Sequence, residues 1–463
     1  MTALDIATIT YGRFFGRAAE LALSVSSVSI DSRSLKPGAL FTALPGENTD
    51  GHQYIDNAFA AGAVCALVER VPADYDGTKP LVIVPDTAAA LKTLAQSYRQ
   101  RFDIPLVGVT GSVGKTTTKD LIYAVLSERF QTHRTEGNFN NELGVPLTLF
   151  GLQPQHEAAV VEMGISDFGE MNRLTQMARP TAAVFTAIGD AHLEFLHDRD
   201  GVMRAKAEIV GSMPPDGKIF LNGDDAIQRG FSFEHPKVYY GTGADCDVRA
   251  ERIENLGLEG MRFEIHAEGC VIPARVQAFG THMVYPALAA AAVGLSLGVD
   301  AAEIARGIER YQPESARSRT RYCEGKVTVI DDCYNANPTS MAAALESLAA
   351  LSGRRVAILG DMRELGDNAD SMHRDIGALC VKLGIECLIT VGELAEQIHI
   401  GAGSRAGDRY FTDKGELSGA LPELLSEGDV ILVKASHGLH LEKVVDDILA
   451  LYTELPSRRG APN

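Results

Sequence analysis

Residues 110–119 read TGSVGKTTTK, a glycine-rich run that ends in Gly-Lys-Thr. The run follows the apolar segment LVGV and precedes the helical pattern KDLIYAVLSERF, which is the setting a phosphate-binding loop requires. In such a loop Gly111 and Gly114 let the backbone approach an anion. The N–H groups of Ser112, Val113, Lys115, Thr116 and Thr117 and the helix dipole then face it. Lys115 is suited to the β- and γ-phosphates, and the Thr116 hydroxyl to Mg²⁺. Val109 stands where the common spacing has a further glycine, and no Asn-Lys-x-Asp guanine reader occurs. Both features point away from typical GTPases and kinases.

Four further stretches carry residue types with chemical use. GNFNN, 137–141, sets Asn138, Asn140 and Asn141 between glycines; on physical grounds alone a turn with side-chain caps accounts for it. VVEMG puts Glu162 at the carboxyl end of an apolar strand, where open α/β sheets hold ligands and where it can share the Mg²⁺ of Thr116. AHLEFL and AKAEI place His192 after the next strand and Lys206 on a following helix. DDCYNANPTSM, 331–341, ends another strand in Asp331 and Asp332, then offers Tyr334, Asn335 and Asn337. Asp at a strand end can hold a ribose hydroxyl and Tyr334 can stack on a base, while Asn337 before Pro338 also reads as a helix cap. Arg317 lies between two segments, in reach of a phosphate once they close.

The elements that must position these residues fall into three segments. Residues 1–103 form a small α/β unit with short strands at ALFTALPG and PLVIVPD. From 104 to 313 strands and helices alternate, which predicts a parallel sheet covered on both faces. From 314 to 463 a third alternating unit runs through KVTVIDD, RRVAILGD, CLITVG and DVILVKAS, a doubly wound pattern.

Composition sets the limits. The 463 residues are 45% apolar with a formal charge of −18, which excludes a basic nucleic-acid face and means that an anionic substrate must be met by local devices. Seven cysteines without a Cys-x-x-Cys pair read as buried thiols in a cytoplasmic protein. Asp5 interrupts the opening run that a secretory leader would need. The uncharged stretch 283–299 is rich in alanine and predicts a buried helix, not a membrane span.

Taken together, SIDSR, TGSVGKTTTK, GNFNNELGVPLTL, VVEMG, AHLEFL, AKAEI, DDCYNANPTSM, LGDMRELGD and KASHGLHLEKVV resemble the Mur ligase family over nearly the whole chain. Within it the asparagine-rich motif and DDCYNANP are most similar to the dipeptide-adding member. The resemblance implies a UDP-substrate domain at 1–103, a central ATPase domain at 104–313 and a Rossmann-like ligase domain at 314–463. It implies an ATP-dependent amide ligase of peptidoglycan-precursor synthesis, monomeric and cytoplasmic, adding D-alanyl-D-alanine to UDP-N-acetylmuramoyl-tripeptide through an acyl phosphate. Lys115, Glu162, His192, Lys206 and Arg317 would then be catalytic. Thr116, Glu162, His192 and Lys206 would hold two Mg²⁺, with Lys206 as an N6-carboxylated carbamate. Asp31, Ser32 and Arg33 would meet the uridine diphosphate, and Asn138, Asn140, Asn141, Asn335 and Asn337 the peptide partners. Arg317, Asp331 and Tyr334 would contact the nucleotide. Ala187, Met283 and Pro286 depart from the family pattern, the last two where asparagines are common. Another amino-acid-adding Mur-type ligase or a folylpolyglutamate synthase-like ligase is the alternative within the class. A nucleotide-gated binding protein is the alternative outside it.

Overall fold

The computed structural model describes residues 1–46, 49–72, 75, 77–313, 319–323 and 326–452. Three sheets run along the chain. The first has five strands in the order Arg13–Phe15, Leu81–Ile83, Cys65–Val68, Ala39–Thr42 and Ser27–Ser29, parallel except for the first pair. The third has six, in the order Arg319–Cys323, Val327–Asp332, Asp429–Lys434, Arg354–Gly360, Cys387–Val391 and Arg409–Phe411, and only the first pair is antiparallel. Apolar clusters cover this sheet on both faces, as the doubly wound pattern predicts. The three-unit α/β architecture therefore holds.

The central sheet has nine strands. Leu106–Thr110 lies between Ala158–Glu162 and Ala182–Phe185, with Val109 opposite Glu162 and Thr110 opposite Phe185. Every residue of Leu106–Thr110 is buried, as expected of a strand enclosed by helices on both sides. Three parallel neighbours thus end at one edge, with the phosphate loop after the first, Glu162 as the last residue of the second and His192 in the segment after the third.

One expectation for this segment is incomplete. Beyond Lys237–Gly241 the sheet continues as Val248–Asn255, Met261–Ala267 and Cys270–Val276, the last three pairing antiparallel in sequence. Met261, Phe263 and Ile265 are buried while Arg262 and Glu264 are not, an alternation of period two that belongs to a half-covered antiparallel sheet. The alanine-rich stretch forms the helix Val284–Ser296, buried on nearly all sides against the helix Lys115–Leu126. No helix among the described residues is long and apolar enough to cross a membrane.

The first unit is joined to the central one through a shared core. Leu91, Leu94 and Ala95 of the helix Thr87–Arg99 pack with Leu149, Phe150 and Leu174. Arg99 Nε donates to the Ala178 carbonyl at 2.9 Å, and the Tyr98 hydroxyl to that of Leu152 at 2.8 Å.

Candidate active site

The phosphate loop takes its shape from two glycines. Gly111, at φ +148°, lies so close to Thr186 that any Cβ would overlap its hydroxyl, and Gly114 caps the following helix at φ +81°. The loop is also pinned from the next strand. Ser112 N donates to the Ala187 carbonyl at 2.8 Å, and the Thr186 hydroxyl to that of Val113 at 2.6 Å. Ala187 therefore acts through its backbone, so its departure from the family pattern leaves this contact intact. Lys115 Nζ folds over the loop to the Gly111 carbonyl at 2.9 Å.

Glu162 is the point of convergence. Its Oε2 accepts from the Thr116 hydroxyl at 2.8 Å and its Oε1 from Asn140 Nδ2 at 2.8 Å. Its own N–H donates to the Thr135 hydroxyl at 3.0 Å. The residue is 1% exposed, and both its side-chain partners are neutral. A buried carboxylate beside a phosphate-loop hydroxyl suits a hard divalent cation. Asn141 takes the plainer part: its Oδ1 accepts from Leu143 N at 3.2 Å and Gly144 N at 2.8 Å, closing the turn that leads into the helix Gly144–Phe150. Asn140 and Asn141 line the cavity, whereas Asn138 does not.

That cavity, of about 580 Å³, is bounded by Lys115, Thr116, Glu162 and His192 from the central unit and by Asp332, Tyr334, Asn335, Asn337 and Lys434 from the third. Asp332 Oδ2 accepts from Lys434 Nζ at 2.6 Å, and the same ammonium reaches the Asn335 carbonyl at 2.9 Å. Asp331 points elsewhere, because successive strand residues face opposite sides. It is 6% exposed, its Oδ1 has no hydrogen-bond partner among the described residues, and burial pushes its carboxyl above the usual range. Of the two aspartates, the one facing the cavity is thus Asp332. Asn337 lines the cavity and also caps the helix Pro338–Ala349, accepting from Ser340 N at 2.8 Å.

His192 has a left-handed backbone, φ +55°, and its Nδ1 lies 2.6 Å from Glu364 Oε2 of the third unit. The two atoms lie close without the alignment of a linear hydrogen bond, and the neighbouring imidazole holds the Glu364 carboxyl below the usual range. Lys206 is 1% exposed on the helix Arg199–Ala207 and lies outside the cavity lining. Burial first, and the neighbouring Lys115 charge second, push its ammonium well below the ordinary lysine value. Among the described residues no set of three His, Cys, Asp or Glu converges as a preformed metal cage.

Asp31, Ser32 and Arg33 lie away from this cavity. Arg33 grips Asp31 at 2.8 Å and pulls its carboxyl to about 2. Arg317 lies outside the described residues. Lys434 and His282 line the cavity although sequence reading assigned them no role. Lys434 carries a usable signal, a charge at the carboxyl end of a buried strand, the same signal that marks Glu162. His282 has a buried Nδ1 with no hydrogen-bond partner among the described residues, and burial holds its imidazole below the usual histidine value. Pro286 sits in the first turn of Val284–Ser296, where proline costs no hydrogen bond, and it also lines the cavity beside Met283.

Comparison with known proteins agrees with this geometry. Residues 24–99 match the model of the Mur ligase family catalytic domain, 109–294 the Mur ligase middle domain and 316–437 the Mur ligase glutamate ligase domain. The UDP-N-acetylmuramoyl-tripeptide–D-alanyl-D-alanine ligase of Bacillus subtilis is 37% identical, over 92% of this chain and 93% of that one. The Escherichia coli protein of the same name is 35% identical, over 91% and 93%. Among solved structures, MurF from Acinetobacter baumannii matches with a TM-score of 0.87 and 32% identity, over 97% and 98% of the chains. MurF ligase from Thermotoga maritima, in complex with ADP, matches at 0.78 and 26%, over 92% and 97%. With its phosphate loop, its strand-end glutamate and a cavity shared by two α/β units, this chain belongs to the Mur ligase family.

Proposed function

We propose that the chain is an ATP-dependent ligase that joins D-alanyl-D-alanine to the terminal carboxylate of UDP-N-acetylmuramoyl-tripeptide in the cytoplasm. The observation that carries this reading is the meeting of Thr116 and Asn140 on Glu162, at a cavity walled by two units of the chain. The phosphate loop thus forms one wall of the cavity and the third unit another.

A carboxylate is a poor acyl donor because oxide is a poor leaving group. One carboxylate oxygen of the tripeptide therefore attacks the γ-phosphorus of ATP, and ADP leaves. The amine of the dipeptide, having lost a proton, then adds to the carbonyl carbon of the acyl phosphate. The tetrahedral adduct collapses to the amide and releases inorganic phosphate, which keeps the former carboxylate oxygen. Lys115 and the loop N–H groups stabilise charge on the phosphoryl oxygens through both steps. Asn140 orients Glu162, and Asp332, held by Lys434, faces the nucleotide ribose. Arg317 adds a further charge on the phosphates.

Thr116 and Glu162 would hold one Mg²⁺, and His192 with a carbamylated Lys206 a second; these ions supply charge neutralisation at the phosphates. The surroundings of Lys206 fit that modification. Burial and the neighbouring Lys115 charge shift its balance toward the neutral amine, which is the form that adds CO₂, and the resulting carbamate would carry the negative charge a cation needs. Asp31, Ser32 and Arg33 would bind the uridine diphosphate end, remote from the reaction. On this reading 1–103 is the UDP-substrate unit, 104–313 the ATPase unit and 314–463 the ligase unit.

The test is phosphate release with ATP and each of two tripeptides, ending in lysine or diaminopimelate, with and without D-alanyl-D-alanine. Amide product and phosphate in equal amounts, both requiring the dipeptide, support the reading. Phosphate release that ignores both peptides overturns it.

A further inference from the structure

We propose that Glu364 is a positioning residue for His192, so that the third unit of the chain orients a metal-binding imidazole of the central unit. The inference rests on the reading of His192 given above. Its geometric basis is the 2.6 Å approach of Glu364 Oε2 to His192 Nδ1 across the boundary between the units.

The turn that presents Glu364 is firmly tied to its own unit. Ser436 N donates to the Asp361 carbonyl at 3.0 Å, and Ala395 N to Asp361 Oδ1 at 2.8 Å. Met362 N donates to Nε2 of the buried His373 at 2.9 Å, and Arg363 N to the Ser436 hydroxyl at 3.1 Å. Glu364 follows this anchored stretch with a left-handed backbone, φ +62°, and its partner His192 has φ +55°. Both are conformations that such side chains seldom adopt, so each backbone is held by its surroundings. Beside the pair, Gly366 lies against Glu194 in the short helix Leu193–Leu196 that His192 opens.

An imidazole binds a cation through one nitrogen, and a carboxylate at the other nitrogen fixes which one is available and how the ring is turned. With the Glu364 carboxylate 2.6 Å from Nδ1, Nε2 is the nitrogen left for a metal, and His192 already lines the cavity. The contact exists only while the third unit lies against the central one. Metal affinity at His192 is thereby coupled to the closeness of the two units.

The test uses the full chain with the non-hydrolysable β,γ-imido analogue of ATP and titrates Mn²⁺, followed by electron paramagnetic resonance. The set is wild type, Glu364→Ala, Glu364→Asp, His192→Ala and the double variant His192→Ala/Glu364→Ala. Glu364 is more than half exposed, so its replacement leaves the fold intact, which thermal unfolding checks. Expected are a weaker Mn²⁺ site in Glu364→Ala, by about 10- to 100-fold, and partial recovery in Glu364→Asp. The double variant should be no weaker than His192→Ala alone. The Mg²⁺ concentration for half-maximal turnover should rise in Glu364→Ala, with kcat restored at high Mg²⁺. If His192→Ala weakens Mn²⁺ but Glu364→Ala titrates as wild type, the positioning role is overturned and the reading of His192 stands. If His192→Ala itself titrates as wild type, the metal reading of His192 fails and the inference with it.

Discussion

The Thr116 hydroxyl donates to Glu162 Oε2 at 2.8 Å and so ties the start of the phosphate-loop helix to the end of the neighbouring strand. Register explains the pairing: Val109, two residues before the loop, lies opposite Glu162 in the parallel ladder. The carboxylate is thus held by two hydrogen bonds, from Thr116 and from Asn140, at the end of the strand.

Glu162→Gln keeps the shape of that side chain and removes its charge. The expected result is a fall in kcat of about 10²- to 10³-fold, the scale for one electrostatic stabiliser of a transition state. The melting temperature should change little. Rate of amide formation against thermal unfolding is the measurement, and an unchanged kcat contradicts the role given to Glu162.

Lys206 makes a prediction about stability. Its folded-state pKa lies below the unfolded value, so over that interval the unfolded chain holds a proton that the native chain lacks. Stability from this group therefore rises with pH between the depressed folded value and the ordinary lysine value, and is reduced below it. Carbamylation consumes the neutral amine and draws the balance toward the native state. Added bicarbonate should raise the melting temperature of the wild type and leave Lys206→Ala unmoved. An equal response in both proteins argues against the carbamate.

Asp331 and Asp332 should separate cleanly. Asp332→Asn loses its charge-assisted bond to Lys434 and should raise the KM for ATP by about tenfold, the worth of one such bond. The Asp331 carboxyl has its pKa raised by burial, so its contribution to stability declines as pH rises through that value. Asp331→Asn should hold or raise the melting temperature at neutral pH with little effect on KM. The reverse pattern would show that Asp331 is the nucleotide contact.

Much of this site can be read from the sequence, and the exceptions have physical causes. The phosphate loop and Glu162 are legible because both follow from short apolar strands ending at one edge. Choosing between Asp331 and Asp332 needs the phase of the strand, which two adjacent identical residues cannot reveal. The antiparallel strands at 248–276 were hidden because their period-two alternation sits inside a segment that otherwise alternates strand and helix. The contact between His192 and Glu364 joins two units through loops, and no local pattern encodes it. Asn141 shows the opposite case: the simple turn-closing role is present, while the contact with Glu162 belongs to Asn140 beside it.

Pro286 tests base selection. Asparagine there would offer an amide to the adenine edge, whereas proline offers only its carbonyl and fits the first helical turn. Pro286→Asn should raise the ratio of kcat/KM for ATP over GTP. An unchanged ratio leaves Pro286 as a helix-start residue.

Activation by direct phosphorylation in this cavity leaves an isotopic record on the tripeptide carboxylate. The most direct measurement supplies tripeptide labelled with ¹⁸O in its terminal carboxylate and follows the label by mass spectrometry after complete turnover with D-alanyl-D-alanine. Direct phosphorylation puts one ¹⁸O in each inorganic phosphate released and leaves one in the new amide. Unlabelled phosphate, with the amide still formed, would contradict it.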